Sequence, residues 1–496
     1  MVTILASTMA YIDESVVNVA LPAIERDLGV PVAVIQWLVN AYTLSLSAFL
    51  LIGGAAGDRF GRRRVFIIGT AIFAAASLWC GLAASAAQLL AARAVQGVGA
   101  ALLIPCSLAI IGAAFDEAER GRAIGTWAGF SAISAAAGPL IGGFIVDHAT
   151  WRFIFLINPV VALPTILIAA RHVIESRDPQ APQRLDWRGA ILAFAGLGSL
   201  VFGLIAWPER GLRDLAVLAS LAAGVVLLAA FVWEEGRSRE PMMPLALFRS
   251  PTFAGVNLLT LLLYAALGGA LFFLPFSLIQ VHGYSATLAG AVFLPFTLIM
   301  GVLSRWSGGL LDRYGARGPL IIGPAIAAAG FALLALPGAG GPYWSTLLLP
   351  IVVLGLGMAV TVAPLTTSVI NAVPVRQAGV ASGINNAVAS VANLLAVAIL
   401  GAVALAVFNH ALDQLITTQS MSADVVQALT AARGKFVVDG GVAQLQGADR
   451  VLAESLIRQS LADGIRIVMW LAAALALASA ACAALMIAPE EAPLRR

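Results

Sequence analysis

The sequence predicts an all-α polytopic membrane protein, and three observations carry the prediction. Of its 496 residues 60% are hydrophobic and only 11% charged; apolar runs of about 20 residues recur along the chain; and Lys and Arg collect in alternate connections. The runs are continuous, whereas the strands of a membrane barrel alternate over about 10 residues, so helices are expected. A net charge of +3 suits a nucleic-acid partner in a soluble protein, but basic residues in short loops between spans set topology instead, and no nucleic acid is expected.

Spans fall at roughly 2–22, 37–57, 65–84, 89–111, 123–146 and 153–170, then 187–207 and 214–233, then 252–280, 286–309, 319–336, 345–370, 378–408 and 466–488. The first run lacks a basic leader and carries two acids at its centre, so it reads as an uncleaved helix, not a signal peptide. Fourteen helices put eighteen Lys and Arg in the inner connections and C-terminus, against Arg26, Arg152, Arg210 and Arg213 in the short outer loops. That bias places both termini on the cytoplasmic side of the plasma (inner) membrane. The polar stretch 409–463 is expected to be a long external loop, with amphipathic helices around 423–432 and 449–461. It reads as a mobile hairpin, contact with a partner protein being the alternative.

The chain also repeats itself. "GGAAGDRFGRRRV" after the second span and "SGGLLDRYGARGP" after the tenth align Asp58 with Asp312, Arg59 with Arg313, Gly61 with Gly315 and Arg63 with Arg317. Repeats at matching points of two halves mark many transporters. The halves are 1–170 and 252–488, with 171–251 a linker carrying two extra helices.

Each motif has a physical reading. In "GDRFGRRR", Asp58 ends a helix, Gly61 permits a tight turn and Arg62 to Arg64 anchor the inner face, so Asp58, Arg59, Gly61 and Arg62, with Asp312 and Arg313, are expected to form a charge-paired hinge. In "RAVQGVGAA", Arg93, Gln96, Gly97 and Ala100 share a helical face, and a mid-span arginine normally meets a partner or a wet cavity. In "GTWAGFSAISAAAGPLIGG", Gly125 with Gly129, then Ser134, Gly138 and Gly142, place small residues at four-residue steps, followed by Gly143. Such a face lets helix backbones approach closely, and Pro139 should bend the helix. "WRFIFLINP" reads as interface anchoring. Cys80, Cys106 and Cys482 lie in apolar runs without metal-type spacing, so neither disulfide nor metal is expected.

These motifs, in this order, resemble the major facilitator superfamily, and in particular its fourteen-helix drug:proton antiporter branch of the EmrB/QacA type. "IDESVVNVALP", "GGAAGDRFGRRR", "RAVQGVGAA" and "GPLIGG" look like that branch's first-helix, loop, fourth-helix and antiporter motifs. The resemblance implies two six-helix bundles rocking about a central cavity, exporting a substrate while protons run inward. It implies that Asp13 takes part in proton coupling or cation binding, that Arg93 takes part in proton transfer, and that Asp58 with Arg59 holds the cytoplasmic side closed. Two departures stand out: Ser134 replaces a glycine common in the antiporter motif, and the chain begins almost at its first membrane residue, as a shortened start would leave it.

Asp13 and Glu14 are the acids at mid-span, and neighbours on a helix point about 100° apart. An ionised acid there is costly unless wet or paired, so at least one is expected to hold a proton in some conformations. Asp13 is expected to be the principal coupling acid; Glu14 is expected to line the cavity, binding cationic substrate or sharing the proton, or else to hydrogen-bond Asn18. Tyr42, Trp127, Phe130, Asn257, Tyr264 and Gln280 complete the expected cavity. The expected activity is proton-driven export of lipophilic, cationic small molecules without a cofactor. The alternatives are transport of one specific metabolite, antibiotic or lipid-like compound, and a non-transporting sensor. A periplasmic adaptor is a further candidate partner. No catalytic triad, metal cluster or nucleotide loop argues for an enzyme.

Overall fold

In the computed structural model the chain runs through α1 (Val2–Leu28), α2 (Val32–Phe60), α3 (Arg62–Leu82), α4 (Ala86–Ala114), α5 (Glu117–His148), α6 (Phe153–His172), α7 (Trp187–Arg210) and α8 (Leu215–Arg237). It continues through α9 (Pro251–Phe276), α10 (Ala286–Ala291), α11 (Leu294–Tyr314), α12 (Arg317–Ala335), the single turn α13 (Tyr343–Thr346), α14 (Leu348–Asn371), α15 (Ala378–Thr418), α16 (Ala423–Ala431) and α17 (Gly447–Met486). The structure describes residues 1–115, 117–178, 184–337, 342–374, 377–418, 421–437 and 442–488, without some side chains in α5, α11 and near residue 443. Thirteen helical stretches among these residues are long and apolar enough to cross a membrane, and α5 carries a shorter apolar stretch over Ile133–His148. The protein is an integral membrane protein.

Local chemistry sets the helix ends. Gly29 at φ +61° closes α1, and Pro31 precedes α2. Asp186 accepts from Gly189 N, Asp214 from Ala216 N and Val217 N, and Ser250 from Phe253 N, supplying acceptors to otherwise orphaned first-turn amides. The tenth span, expected to be continuous over 286–309, is broken between α10 and α11, just before Pro295. Proline has no N–H to give and its ring crowds the carbonyl four residues back. Beyond Pro275, α9 ends in a π-turn over Ser277–Val281.

The two halves pack alike. In the first, α1 contacts α5 and α6, while α4 lies against α2 and α3, and α3 against α6. In the second, α9 contacts α15 and α17, while α14 lies against α11 and α12, and α12 against α17. The sequence repeat has matching geometry: Gly61 and Gly315 both take positive φ, at +112° and +66°. Arg63 donates to the carbonyl of Val173, just past α6, and Arg317 donates to that of Ala484 in α17, so each ties the last helix of its own six-helix bundle. The bundles meet through α2 with α15 and through α5 with α10 and α11, again as a symmetric pair. Of the inserted helices, α7 packs on α2 and α15, where Leu44, Leu197, Val201 and Leu394 share an apolar cluster. The other, α8, packs mainly on α7.

The segment 409–463 departs from expectation in its helix bounds. The helix α15 runs on to Thr418 and α17 begins at Gly447, so the amphipathic helix expected at 449–461 is the start of α17. The connection between them shrinks to 419–446, with α16 close to its expected place. Its described residues 421–437 dock against the helices. Phe436 is buried, its ring 6.0, 5.7 and 5.8 Å from Phe273, Phe276 and Phe408, and Val32 N donates to Gly434 O at 2.9 Å.

Candidate functional site

A closed polar network lies inside the first bundle. From α4, Arg93 Nη1 donates to Asp13 Oδ2 at 2.6 Å and to Gln96 Oε1 at 2.7 Å, and Arg93 Nε donates to the Leu38 carbonyl at 3.3 Å. Gln96 Nε2 donates to Asp13 Oδ1 at 2.8 Å and to Ser77 Oγ at 2.7 Å. Asn158 Nδ2, from α6, reaches Asp13 Oδ1 at 2.6 Å and Ser77 Oγ at 3.2 Å. Asp13, Arg93, Gln96, Asn158 and Ser77 are each at most 2% exposed. A charge pair this deep survives because each partner makes three hydrogen bonds within the network.

Small residues bring the helices within reach. A Cβ on Gly97 would collide with the Tyr42 carbonyl of α2, and one on Gly99 would sit 2.6 Å from the Phe73 amide of α3. The Arg93 guanidinium lies 4.3 Å from the Tyr42 ring centre and 5.7 Å from that of Phe155, so aromatic faces take up the cation on sides no carboxylate covers. Tyr42, expected in the substrate cavity, is therefore a buried wall of the Arg93 site.

Glu14 differs from its neighbour. It is half-buried and has no hydrogen-bond partner among the described residues, Asn18 included. Asp13, Arg93, Tyr11 and Tyr42 are its charged and titratable neighbours.

The small-residue face of α5 rests on the same helix. Ser134 Oγ donates to Thr8 Oγ1 at 2.9 Å, a Cβ on Gly138 would strike Ser15 Oγ, and one on Gly142 would strike Val16. The serine standing for a glycine thus makes a polar contact with α1. On the other side of α5, Gly143 abuts Ala286 of α10, and Gly290 of α10 abuts the Pro139 carbonyl. Asp147 receives the Ala286 and Thr287 amides at 3.0 and 2.7 Å, tying the bundles together. One helix therefore touches both the acid-bearing helix and the opposite bundle. Gly129 lies outside the described residues.

Other expected cavity residues scatter. Trp127 Nε1 donates to Ser7 Oγ at 2.9 Å, and Phe130 is half-exposed. Asn257 is spent between helices: its amide donates to Phe253 O, and Asn385 of α15 donates to its Oδ1 at 3.1 Å and to Thr260 Oγ1 at 2.7 Å. Asn257 is thus a bridge between α9 and α15 and not a free cavity group. Gln280 is buried in the π-turn with Nε2 unpartnered; Asn18 and Tyr264 are half-buried.

At the turn between α2 and α3, the partner of Asp58 is Arg62, at 2.7 Å, while Arg59 is exposed and lies over Phe60. Glu175, missed in the sequence, accepts from the Arg63 and Arg64 amides at 3.0 and 3.2 Å, capping α3 from a distant loop. Asp312 and Arg313 lie outside the described residues. Asn158 and Ser77 were also missed; a polar residue within each of two apolar runs was the available signal.

Two bundles of like packing joined by paired helices, with a buried ion pair inside the first, define a polytopic transporter. The chain belongs to the Major Facilitator Superfamily, whose family profile matches residues 3–397. It is 38% identical over 395 residues to the Tetracenomycin C resistance and export protein of Streptomyces glaucescens, covering 79% of this chain and 73% of that one. It is 38% identical over 385 residues to the Cephamycin export protein CmcT of Amycolatopsis lactamdurans (77% and 79%), and 35% identical over 406 residues to the Multidrug resistance protein Stp of Mycobacterium tuberculosis (82% and 75%). Among solved structures, a bacterial homolog of the human lysosomal transporter Spinster, inward-facing and occupied, matches with a TM-score of 0.69 at 17% identity over 98% of this chain and 95% of that one.

Proposed function

We propose that the chain exports small lipophilic molecules of antibiotic or drug type in exchange for protons, as a fourteen-helix member of the EmrB/QacA type. The observation that carries this reading is the division of labour on α1: Asp13 is locked to Arg93, while Glu14, one residue on and half-buried, has no hydrogen-bond partner among the described residues. A proton on Asp13 breaks the ion pair, leaving a buried guanidinium that must find new acceptors, so protonation and helix rearrangement are linked. The rearrangement has a path, because α5 rests its glycine face on α1 and its other side on α10. Glu14, a neighbour of Tyr11, supplies negative charge for a cationic substrate group. Relatives named for tetracenomycin C and cephamycin favour a second reading of the same chemistry, in which one compound class is exported and not many.

The test is proton release on adding candidate compounds to detergent-purified protein. Wild type should release protons on binding its substrate, Asp13→Asn should release none, and Glu14→Gln should lose affinity for cationic compounds first. Undiminished release by Asp13→Asn would sink the assignment.

A further inference from the structure

The docked strap between α15 and α17 is held by an acid that the coupling chemistry does not use. Glu25 lies twelve residues beyond Asp13 on the same helix, about 18 Å along it at 1.5 Å per residue, and is 2% exposed. Its Oε1 accepts the Phe436 and Val437 amides at 2.9 and 3.2 Å, and its Oε2 has no partner. Next to it, Val32 N donates to Gly434 O, Gly434 N donates to Asn409 Oδ1 at 3.3 Å, and Arg433 pairs with Asp413. The strap is therefore fastened by Asn409 and Asp413 to α15 in the second bundle, while Glu25 and Val32 fasten it to the α1–α2 turn in the first.

We propose that Glu25 is a second proton-binding residue, at the face opposite the chain termini, whose ionised form latches the strap across both bundles and whose protonation releases it. The inference rests on the alternating-access reading above. Opening this face must separate the α1–α2 turn from α9 and α15, and the Glu25 and Val32 bonds to the strap cross that divide. An ionised carboxylate holds two amides with charge-assisted bonds roughly twice as strong as neutral ones. Once protonated, the group keeps only a neutral acceptor at Oε1, and its new O–H at Oε2 has no acceptor in the latched arrangement. Burial of the Glu25 carboxyl opposes its ionisation above all, and the Phe436 and Val437 amides, Lys435 on the strap and Arg26 on its own helix act the other way, favouring the ionised, latched form. A proton arriving at this face thus loosens it at the point where protons must enter for inward flow.

The experiment is hydrogen–deuterium exchange of the full chain in detergent at pH 8 and pH 6, following peptides that contain Phe436 and Val437, with rates corrected for intrinsic pH dependence. Wild type should lose at least tenfold protection at the strap on acidification, while mid-helix peptides of α4 and α9 hold theirs. Glu25→Gln, which mimics the protonated group, should show the low protection at both pH values. Equal wild-type protection at pH 8 and 6 would overturn the latch without any variant, as would a Glu25→Gln strap protected like wild type at pH 8. Proton release by Asp13 is read separately: its absence with a responsive strap removes the exchange reading and leaves the latch as a pH-gated contact.

Discussion

The Arg93 guanidinium is held between Asp13, at 2.6 Å, and the face of Tyr42, 4.3 Å from its ring centre, with solvent excluded from both sides. Removing one member of such a pair leaves an uncompensated buried charge, at a cost of about 3–5 kcal/mol. Asp13→Asn and Arg93→Gln should each lower the melting temperature in detergent, and the double variant should recover more than half of the summed loss. Additive losses in this double-mutant cycle would mean that the two groups do not depend on each other.

The glycine face of α5 makes two contacts with different consequences. Gly138→Ala drives a methyl into Ser15 within one bundle, so the added variant Ser15→Gly should restore part of the lost transport. Gly143→Ala drives one into Ala286 across the bundles and should instead shift the population toward separation at that face. Distances between spin labels on α5 and α10 read the second effect. No change in their distribution would leave Gly143 without a part in closure.

Much of this was legible in the sequence because it rests on helix periodicity. The spacing of Arg93, Gln96 and Gly97 put them on one face, and a mid-span acid on α1 was a natural partner for a mid-span base on α4. The rest depends on how helices assemble. Nothing local separates Asn158, which holds Asp13, from Asn257, which bridges α9 and α15: each is a single amide in an apolar run. Tyr42 looked like a cavity residue because aromatic character does not reveal which neighbour a ring covers. The pairing of Asp58 with Arg62 was readable from its four-residue spacing, whereas Glu175 caps α3 across 112 residues of chain. The strap was hidden by its polar composition, which matches that of a free loop until Phe436 is seen among three phenylalanines.

At the turn between α2 and α3, Gly61 combines a positive φ of +112° with a Glu175 carboxyl carbon 2.7 Å from where a Cβ would stand. Gly61→Ala should therefore be much worse than Glu175→Gln, which keeps the shape of the cap and loses only the charge at the start of α3, about 0.3–1 kcal/mol. Melting temperature and transport rate in liposomes both check this ranking. Equal losses would mean that the backbone conformation at Gly61 carries no strain for alanine.

The repeat makes a sharper demand at Arg63 and Arg317. Each reaches the end of the sixth helix of its own bundle, at Val173 O (3.1 Å) and Ala484 O (2.5 Å), but their surroundings differ. Arg63 also stands 3.8 Å from Glu175, while Arg317 Nε has no partner. A charged hydrogen bond contributes about 1.5–3 kcal/mol, so Arg317→Ala should lose the tie to α17 outright. Arg63→Ala should lose less, because Glu175 still holds the start of α3 through the Arg63 and Arg64 amides. Lysine at 317 keeps the charge without the planar fork and should restore only part of the stability. Thermal unfolding of the three variants orders them as Arg317→Ala, Arg317→Lys, then Arg63→Ala from least to most stable; a lower melting temperature for Arg63→Ala than for Arg317→Ala would show that the first bundle depends on its arginine more than on the Glu175 cap.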